Sequence, residues 1–411
     1  MLDPTLPLDL LKSLVEIPSV NPMGGEPGRS SVGEAQLTDF LESLVRRIGL
    51  PSFRQPVAPG RANLWVRLDG SQTPSRKGPV ILFDAHQDTV PCVGMTIPPW
   101  TAEVRDGKLF GRGACDVKGP MAAMLAALAR LKKTATAERP TVILVCTVDE
   151  ECGFSGARAL VDGLSASKQT ADGLGEFVPQ RPTAAIVAEP TDLSIVVAHK
   201  GIVRWPCHTR GRAAHSAQPE KGDNAIYGMG RVLGAIDHYQ REVVGRLTSH
   251  RLCGPGSVNV GTISGGNSVN TVPASCAIEI DRRLSPSEEA MAARQHLIDA
   301  IERETQMGTR VEHGPLTLFC PPLSDEHNGD LADRLARSAS QSLGHPVNRV
   351  GVAYATEAAW LAQAGIPSVV FGPGAIEQAH TADEWISIAE LERGARAYYD
   401  FIANGPWPIA D

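Results

Sequence analysis

Seven polar residues of types that hold metal ions or move protons stand close to apolar stretches of the chain. His86 and Asp88 follow the run 79–84. Glu150 and Glu151 follow 141–148, Glu189 follows 184–188, and His380 comes after 368–372. Asp116 stands on the N-terminal side of an Ala/Leu/Met-rich segment. Each has an ordinary explanation when taken singly. Asp116 could cap a helix, Glu189 could belong to a turn before Pro190, and residues 149–151 could form a solvated acidic turn. Taken together they read differently. In a parallel sheet the carboxyl ends of the strands lie on one edge, where open α/β sheets place their ligands. Several carboxylates gathered there would repel one another and lose hydration, a cost that needs compensation. A pair of divalent cations supplies it.

Two imidazoles and three carboxylates suit two zinc ions, with cobalt or manganese able to occupy similar ligands. The expected arrangement puts His86 on one ion and His380 on the other, with Asp116 bridging. Glu151 and Glu189 then each hold one ion. Asp88, two residues from His86, suits a partner that fixes the ligating imidazole's tautomer. Glu150 is left unligated, where a general base belongs. Two such ions can polarise a carbonyl and activate water, so the chemistry implied is hydrolysis of an amide or related bond.

The elements that must position these residues are legible as patterns. Residues 141–148 are almost wholly apolar and β-branched, as in a strand buried on both faces. Strands are also expected over 62–68, 79–84, 184–188 and 368–372, a polar loop over 72–78, and a hairpin within 100–113 turning at Asp106-Gly107. Helical spacing appears in the first residues (Leu8, Leu11, Leu14, Val15) and over 31–48, 121–133, 329–343, 356–364 and 388–403. From His199 the texture changes. Strands over 201–209, 258–263, 275–283 and 309–319 alternate with helices over 224–247 and 287–305. This is the β-α-β-β-α-β order of a small antiparallel sheet with helices on one face. The fold expected is an α/β catalytic domain with a mostly parallel central sheet, residues 1–198 and 319–411. It is interrupted by an α+β, ferredoxin-like module over 199–318.

Composition narrows the function. A chain of 411 residues is too long for one ordinary core. The net charge of −7, without a basic block, gives nucleic acid no electrostatic footprint. No apolar run approaches the roughly 20 residues of a membrane span, and the first residues lack the basic start and cleavage site of a signal peptide. The eight cysteines (92, 115, 146, 152, 207, 253, 276 and 320) form no C-x-x-C pair, which fits a reducing cytoplasm. Cys115, beside Asp116, reads as packing rather than as a nucleophile.

The motifs HQDTVP (86–91), GRGACDVKG (111–119), DEECG (149–153), AEPT (188–191), GRAAHSAQP (211–219), NTVP (270–273) and AHTADEW (379–385) occur in order along nearly the whole chain. In this the chain resembles the dinuclear-zinc family of aminoacylases, acetylornithine deacetylases, succinyl-diaminopimelate desuccinylases and glutamate-type carboxypeptidases. The resemblance implies the ligand roles above, a lid module that forms homodimers, and a cis peptide after Asp116. It implies that His215 reaches a neighbouring subunit's site to steady an oxyanion. It also implies that Asn270 and Arg283 hold the substrate's α-carboxylate, with Arg282 the alternative to Arg283. AHKG (198–201), YATEA (354–358) and FGPGAIEQAH (371–380) resemble acetylornithine deacetylases most, whereas the GGNSVNTVP stretch is nearer to generic members. Glu357 could pair with an ornithine ammonium, although a capping or supporting role is equally compatible with its chemistry. The substrate expected is N-acetyl-L-ornithine. The alternatives are another N-acyl amino acid, a small dipeptide, or a catalytically silent scaffold, whose mark would be a lost ligand or a lost Glu150. None is lost.

Overall fold

The computed structural model describes residues 2–23, 32–71, 78–134, 139–166, 173–305 and 310–405, so the loop expected over 72–78 lies almost wholly outside them. The chain forms two compact units. The first comprises Met1–Val197, Asp325–Val350 and Thr356–Asp411, and the second Ala198–Ser324 with Gly351–Ala355.

In the first unit Thr141–Thr147 is a strand in which every residue is buried. Its apolar, β-branched side chains fill both faces, as helices on the two sides of a sheet require. It runs parallel to Val80–His86 and antiparallel to Arg61–Leu68. Ala184–Val187 continues the parallel set beyond Val80–His86, and Ser368–Val370 follows it. Register decides where the polar residues go. His86 pairs with Thr147, Asp84 with Val187, and Val187 with Val370. These strands therefore end nearly abreast, and the residues that follow them emerge at one edge.

The whole sheet has eight strands and is mixed, with four neighbouring parallel strands in its middle. Ser52–Ala58, an outer strand that pairs antiparallel with Arg61–Leu68, gave no strand pattern in the sequence. It carries Pro56 and polar residues and is only partly buried, so its alternation is weak. Ile195–His199 and Arg349–Val352, at the other side, were also unforeseen.

The helix Lys118–Lys133 is buried along most of its length. Its alanines let it approach closely the strand Val80–His86 and the helices Pro7–Val15 and Ile388–Asn404. It starts before its apolar run because Pro120 is tolerated in a first turn. The second helix begins at Ala35 rather than at residue 31. The hairpin forms as expected between Glu103–Arg105 and Lys108–Phe110, with φ of 50° at Asp106 and 73° at Gly107. Two positive φ values fit the tight turns that match strand twist. Trp385–Ser387 adds a third strand beside Lys108–Phe110.

The second unit has the expected order. Its sheet runs Ser257–Gly265, Ser275–Leu284, Gly201–Arg210, Arg310–His313, and the helices Ala225–His238 and Ala290–Thr305 contribute to one core. Trp205, Met229, Val232, Ile278, Ile280 and Leu297 lie at its centre. Asn224 caps the first helix, its side chain accepting from Ile226 N at 2.9 Å and Tyr227 N at 3.2 Å. The single strand expected over 309–319 is two, Arg310–His313 and Leu318–Cys320, both paired with Gly201–Arg210. The long helix expected over 224–247 changes to a π turn at Tyr239–Val243. Among the described residues no helix is long and apolar enough to cross a membrane.

Leu144 is fully buried, opposite Val66 on one side and Phe83 on the other. Leu144→Ala should cost about 2–5 kcal/mol, read as a lower urea midpoint for the first unit's transition. An unchanged midpoint would contradict close packing around Leu144.

Candidate metal centre

His86, at the end of its strand, points Nε2 at Asp116 Oδ1 across 3.1 Å. His380, in a loop that follows the last parallel strand, points its own Nε2 at Asp116 Oδ2 and at Glu151 Oε2, each 3.2 Å away. Asp116 thus offers one oxygen to each imidazole, the disposition expected of a bridging carboxylate. His380 holds this position with a φ of 63°, uncommon for a residue with a side chain. The peptide bond between Asp116 and Val117 is cis, as the family resemblance implied.

The turn after Thr147 is hung from Asp88. The backbone N–H groups of Glu150 and Glu151 donate to Asp88 Oδ1 and Oδ2 at 3.2 and 3.1 Å. Asn21 Nδ2 also donates to Oδ2, at 2.7 Å. This corrects the role read for Asp88. Its backbone carbonyl, not its carboxylate, lies 2.9 Å from His86 Nδ1, while the carboxylate stands 3.7 Å away. The effect on the imidazole is the same: a proton on Nδ1 leaves Nε2 free to ligate. Behind the turn, Arg61 pairs with Glu34 and reaches Asp149 Oδ1 at 3.0 Å. Asn21 also donates to that oxygen, and Ser155 Oγ donates to the other at 2.7 Å. Asn21, Glu34 and Arg61 lie far from the motifs in sequence and gave no signal of their own.

The electrostatics are those of a carboxylate cluster taken out of water. Burial, then repulsion from Asp116, pushes Glu151 up to about 7. Burial also pushes Glu150 and Glu189 well above the usual range. Contacts with Asp116 and Glu151 push His380 up to about 10. Burial acts against the ionised form of Asp116, yet the two imidazoles hold it well below the ordinary carboxylate range.

The residues present fit divalent cations. One ligand atom each from His86, Asp116 and Glu151 lies within 4.8 Å of the others. Glu151 Oε1 is buried and has no hydrogen-bond partner among the described residues. Imidazole nitrogen with carboxylate oxygen is a donor set for zinc, cobalt or manganese. Glu189 is buried within electrostatic reach of Asp116, Glu150 and Glu151.

One further expectation changes and another holds. Glu357 is 1% exposed, and its Oε2 lies 2.6 Å from Thr147 Oγ1, which also stands 3.2 Å from buried Asp84. It belongs to the sheet's polar interior, not to an open site for a substrate ammonium. Burial pushes Asp84 up to about 7. Cys115 is buried with Sγ toward Ala375 O at 3.3 Å, and burial pushes its thiol well up, consistent with packing. All eight cysteines are unbridged thiols.

The remaining expected site residues lie in the second unit. His215 and Asn270 share one end of its sheet, where His215 bridges Thr271 and Ser216 N donates to Asn270 O at 3.0 Å. His215 is exposed, and its Nδ1 accepts from Ala217 N at 3.1 Å. In the neutral ring the proton is therefore on Nε2. Along Ser275–Leu284 the even-numbered residues are buried, so Arg282 is inside, paired with Glu288, while Arg283 is on the other face. Arg283 holds Asp281 through Nε at 2.7 Å and Nη2 at 3.3 Å. It stands eight residues along the strand from Ser275, roughly 26 Å. Asn270 and Arg283 of one copy therefore cannot grip the same carboxylate, which corrects the joint assignment.

A mixed sheet with imidazoles and carboxylates gathered at the ends of its parallel strands, in a chain that also carries a separate α+β unit, defines a hydrolase of the metallopeptidase type. The model of peptidase family M20/M25/M40 matches residues 82–404, and the chain belongs to that family. It is a hydrolytic enzyme. An acetylornithine deacetylase from Photorhabdus laumondii is 31% identical over 394 residues, covering 93% of this chain and 92% of that protein. Among solved structures, the aminopeptidase PepT of Bacillus cereus is similar with a TM-score of 0.73 at 22% identity, over 98% of both chains. The Bacillus subtilis YXEP protein, described as a dinuclear metal-binding peptidase, is similar at 0.67 and 16% identity, over 97% of this chain and 96% of that one.

Because Asp116 faces both imidazoles, Asp116→Ala should lower the bound metal more than His380→Ala does. Elemental analysis after dialysis measures this. Equal metal contents would remove Asp116 from the shared position.

Proposed function

We infer that the protein hydrolyses the amide bond of an N-acyl amino acid, with N-acetyl-L-ornithine the preferred substrate, giving ornithine and acetate. The reaction class is carried by one arrangement: Glu150 beside a group of His86, Asp116 and Glu151 suited to metal. The substrate rests on relatives named acetylornithine deacetylase at about 30% identity over most of the chain.

His86, His380, Asp116, Glu151 and Glu189 would hold two divalent ions, with zinc the expected metal. Such ions, when bound, supply a Lewis acid and lower the pKa of water. Glu150 takes a proton from the attacking water as the water oxygen bonds to the acyl carbon. When the C–N bond breaks, Glu150 passes that proton to the leaving amine. Asp88 positions Glu150 by accepting its backbone N–H. The proton on His215 Nε2 is the right donor for a developing oxyanion. In a homodimer His215 would serve the partner's site, and Asn270, beside it, would do the same. Arg283 would then meet the substrate from the other copy. The unbridged thiols are consistent with a reducing cytoplasm.

Turnover should be strongest on N-acetyl-L-ornithine when it is compared with N-succinyl-diaminopimelate, an acetylated neutral amino acid and a dipeptide, and a chelator should abolish it. Chelator-sensitive turnover greatest on another substrate would keep the mechanism and discard the substrate. No turnover on any substrate by the metal-loaded protein would favour a silent scaffold.

Glu150→Ala should lose at least a thousandfold in kcat while keeping its metal, and surviving activity would remove Glu150 as the base. Mixing inactive Glu150→Ala and His215→Ala chains should restore activity. A mixed dimer has one site with both groups intact, so no recovery would count against a shared site.

A further inference from the structure

Glu384 is fully buried four residues beyond His380. Its carboxylate does not enter the metal-ligand group. Oε1 accepts from the backbone N–H groups of Cys115 at 2.8 Å and Asp116 at 3.0 Å. Oε2 accepts from Gly113 N at 3.0 Å and from the buried guanidinium of Arg112 at 2.7 Å. The Glu384 backbone carbonyl accepts from Gly111 N at 3.0 Å. One residue of the His380 loop therefore engages five residues of the segment that ends in Asp116.

The placement follows from the small sheet. Trp385–Ser387 pairs with Lys108–Phe110, so Glu384, just before the one, meets Gly111, just after the other. A carboxylate is the group this pocket needs. Its two oxygens face three N–H donors and one cation, and nothing in that set of contacts is an acceptor. A neutral amide would turn its own NH2 toward donors on one side, and Arg112 would lose its charged partner. Removing one member of a buried ion pair is far costlier than the pair is worth.

We propose that Glu384 is a positioning residue for metal binding, clamping the Asp116 loop to the His380 loop so that the two ligands face each other before any ion arrives. This rests on the metal-centre reading above. Asp116 is the shared member of that centre, and its amide is one of those that Glu384 holds. A shift of the loop would move the carboxylate relative to both imidazoles at once. Groups that orient ligands in this way typically carry about 10- to 100-fold in metal affinity.

The test uses the full-length protein, stripped of metal and titrated with cobalt(II) alone against a competing chelator. Glu384→Gln should bind cobalt(II) at least tenfold more weakly, and the visible spectrum of the bound ion should change. Circular dichroism and the melting temperature of the metal-free protein show whether the variant has folded. A folded variant with wild-type affinity and spectrum overturns the proposal, because a residue needed only for folding would leave both unmoved. Wild-type protein that takes up no cobalt(II) ends the metal reading and the clamp together, whereas normal uptake by the variant ends the clamp alone. Should Glu384→Gln fail to fold, amide hydrogen exchange on the metal-free wild type decides. Slow exchange at Gly113, Cys115 and Asp116 supports a clamp formed before the metal, and rapid exchange at those amides overturns it.

Discussion

Asp116, set between two imidazoles, is the contact on which the catalytic edge depends. Its oxygens meet His86 on one side and His380 on the other, two residues far apart in the chain. A carboxylate removed from water is stable only where positive charge or donors replace the hydration it has lost. Three constraints deliver that geometry. Strand register brings His86 to the edge beside the turn that carries Glu150 and Glu151. Asp88 holds that turn by two backbone N–H groups. The pairing of Trp385–Ser387 with Lys108–Phe110 brings the His380 loop beside the Asp116 segment.

Much of the remaining acidity at this edge is already satisfied. Asp149 has Arg61, Asn21 and Ser155. Glu34 has Arg61, and Asp88 has Asn21 and two amides. Glu151 keeps a buried oxygen with no partner among the described residues. The distinction matters chemically. A cluster in which each carboxylate had found donors would have no affinity left for a cation, and one in which none had would not stay folded around its own charge. Asp84 and Glu357 lie between these cases, two buried carboxyls about a single hydroxyl, Thr147 Oγ1. Their burial favours neutral forms, so they add less repulsion than two full charges would.

The candidate ligand residues stood out in the sequence because each stands at a break in hydrophobic pattern, and pattern is what fixes strands. Their supports could not. Asn21, Glu34, Arg61 and Glu384 act across long sequence distances, and no local periodicity marks a residue whose partner is a distant backbone amide. Asp88 was legible as a neighbour of His86 but not in its manner of contact, because two-residue spacing cannot tell a side-chain oxygen from a backbone one. For Arg282 and Arg283 the strand alternation was legible and put them on opposite faces. That Arg283 would stand far from Asn270 depended on the length of unbroken pairing along Ser275–Leu284. Glu357 lacked any such cue, since a glutamate before a short helix looks the same whether it is buried or exposed. The outer strand Ser52–Ala58 escaped because its residues are only partly buried, and periodicity weakens where neither face is excluded from water.

Bond cleavage and substrate choice are consequently recorded in different parts of the chain. The groups that hold Asp116, Glu150 and Glu151 in place are backbone amides, Asp88 and Glu384, tied to elements that form the sheet itself. They constrain sequence strongly because a lapse leaves a buried charge or an unpaired donor. Substrate selection has no such anchor at this edge. Glu357, enclosed in the sheet's polar interior, is not placed to meet a substrate side chain. On the proposed reading, discrimination between side chains would fall to residues outside this buried edge, such as Asn270 and Arg283. The same physical reason that makes the hydrolytic chemistry conspicuous in this sequence makes its substrate hard to read: the first is enforced by burial, and the second is not.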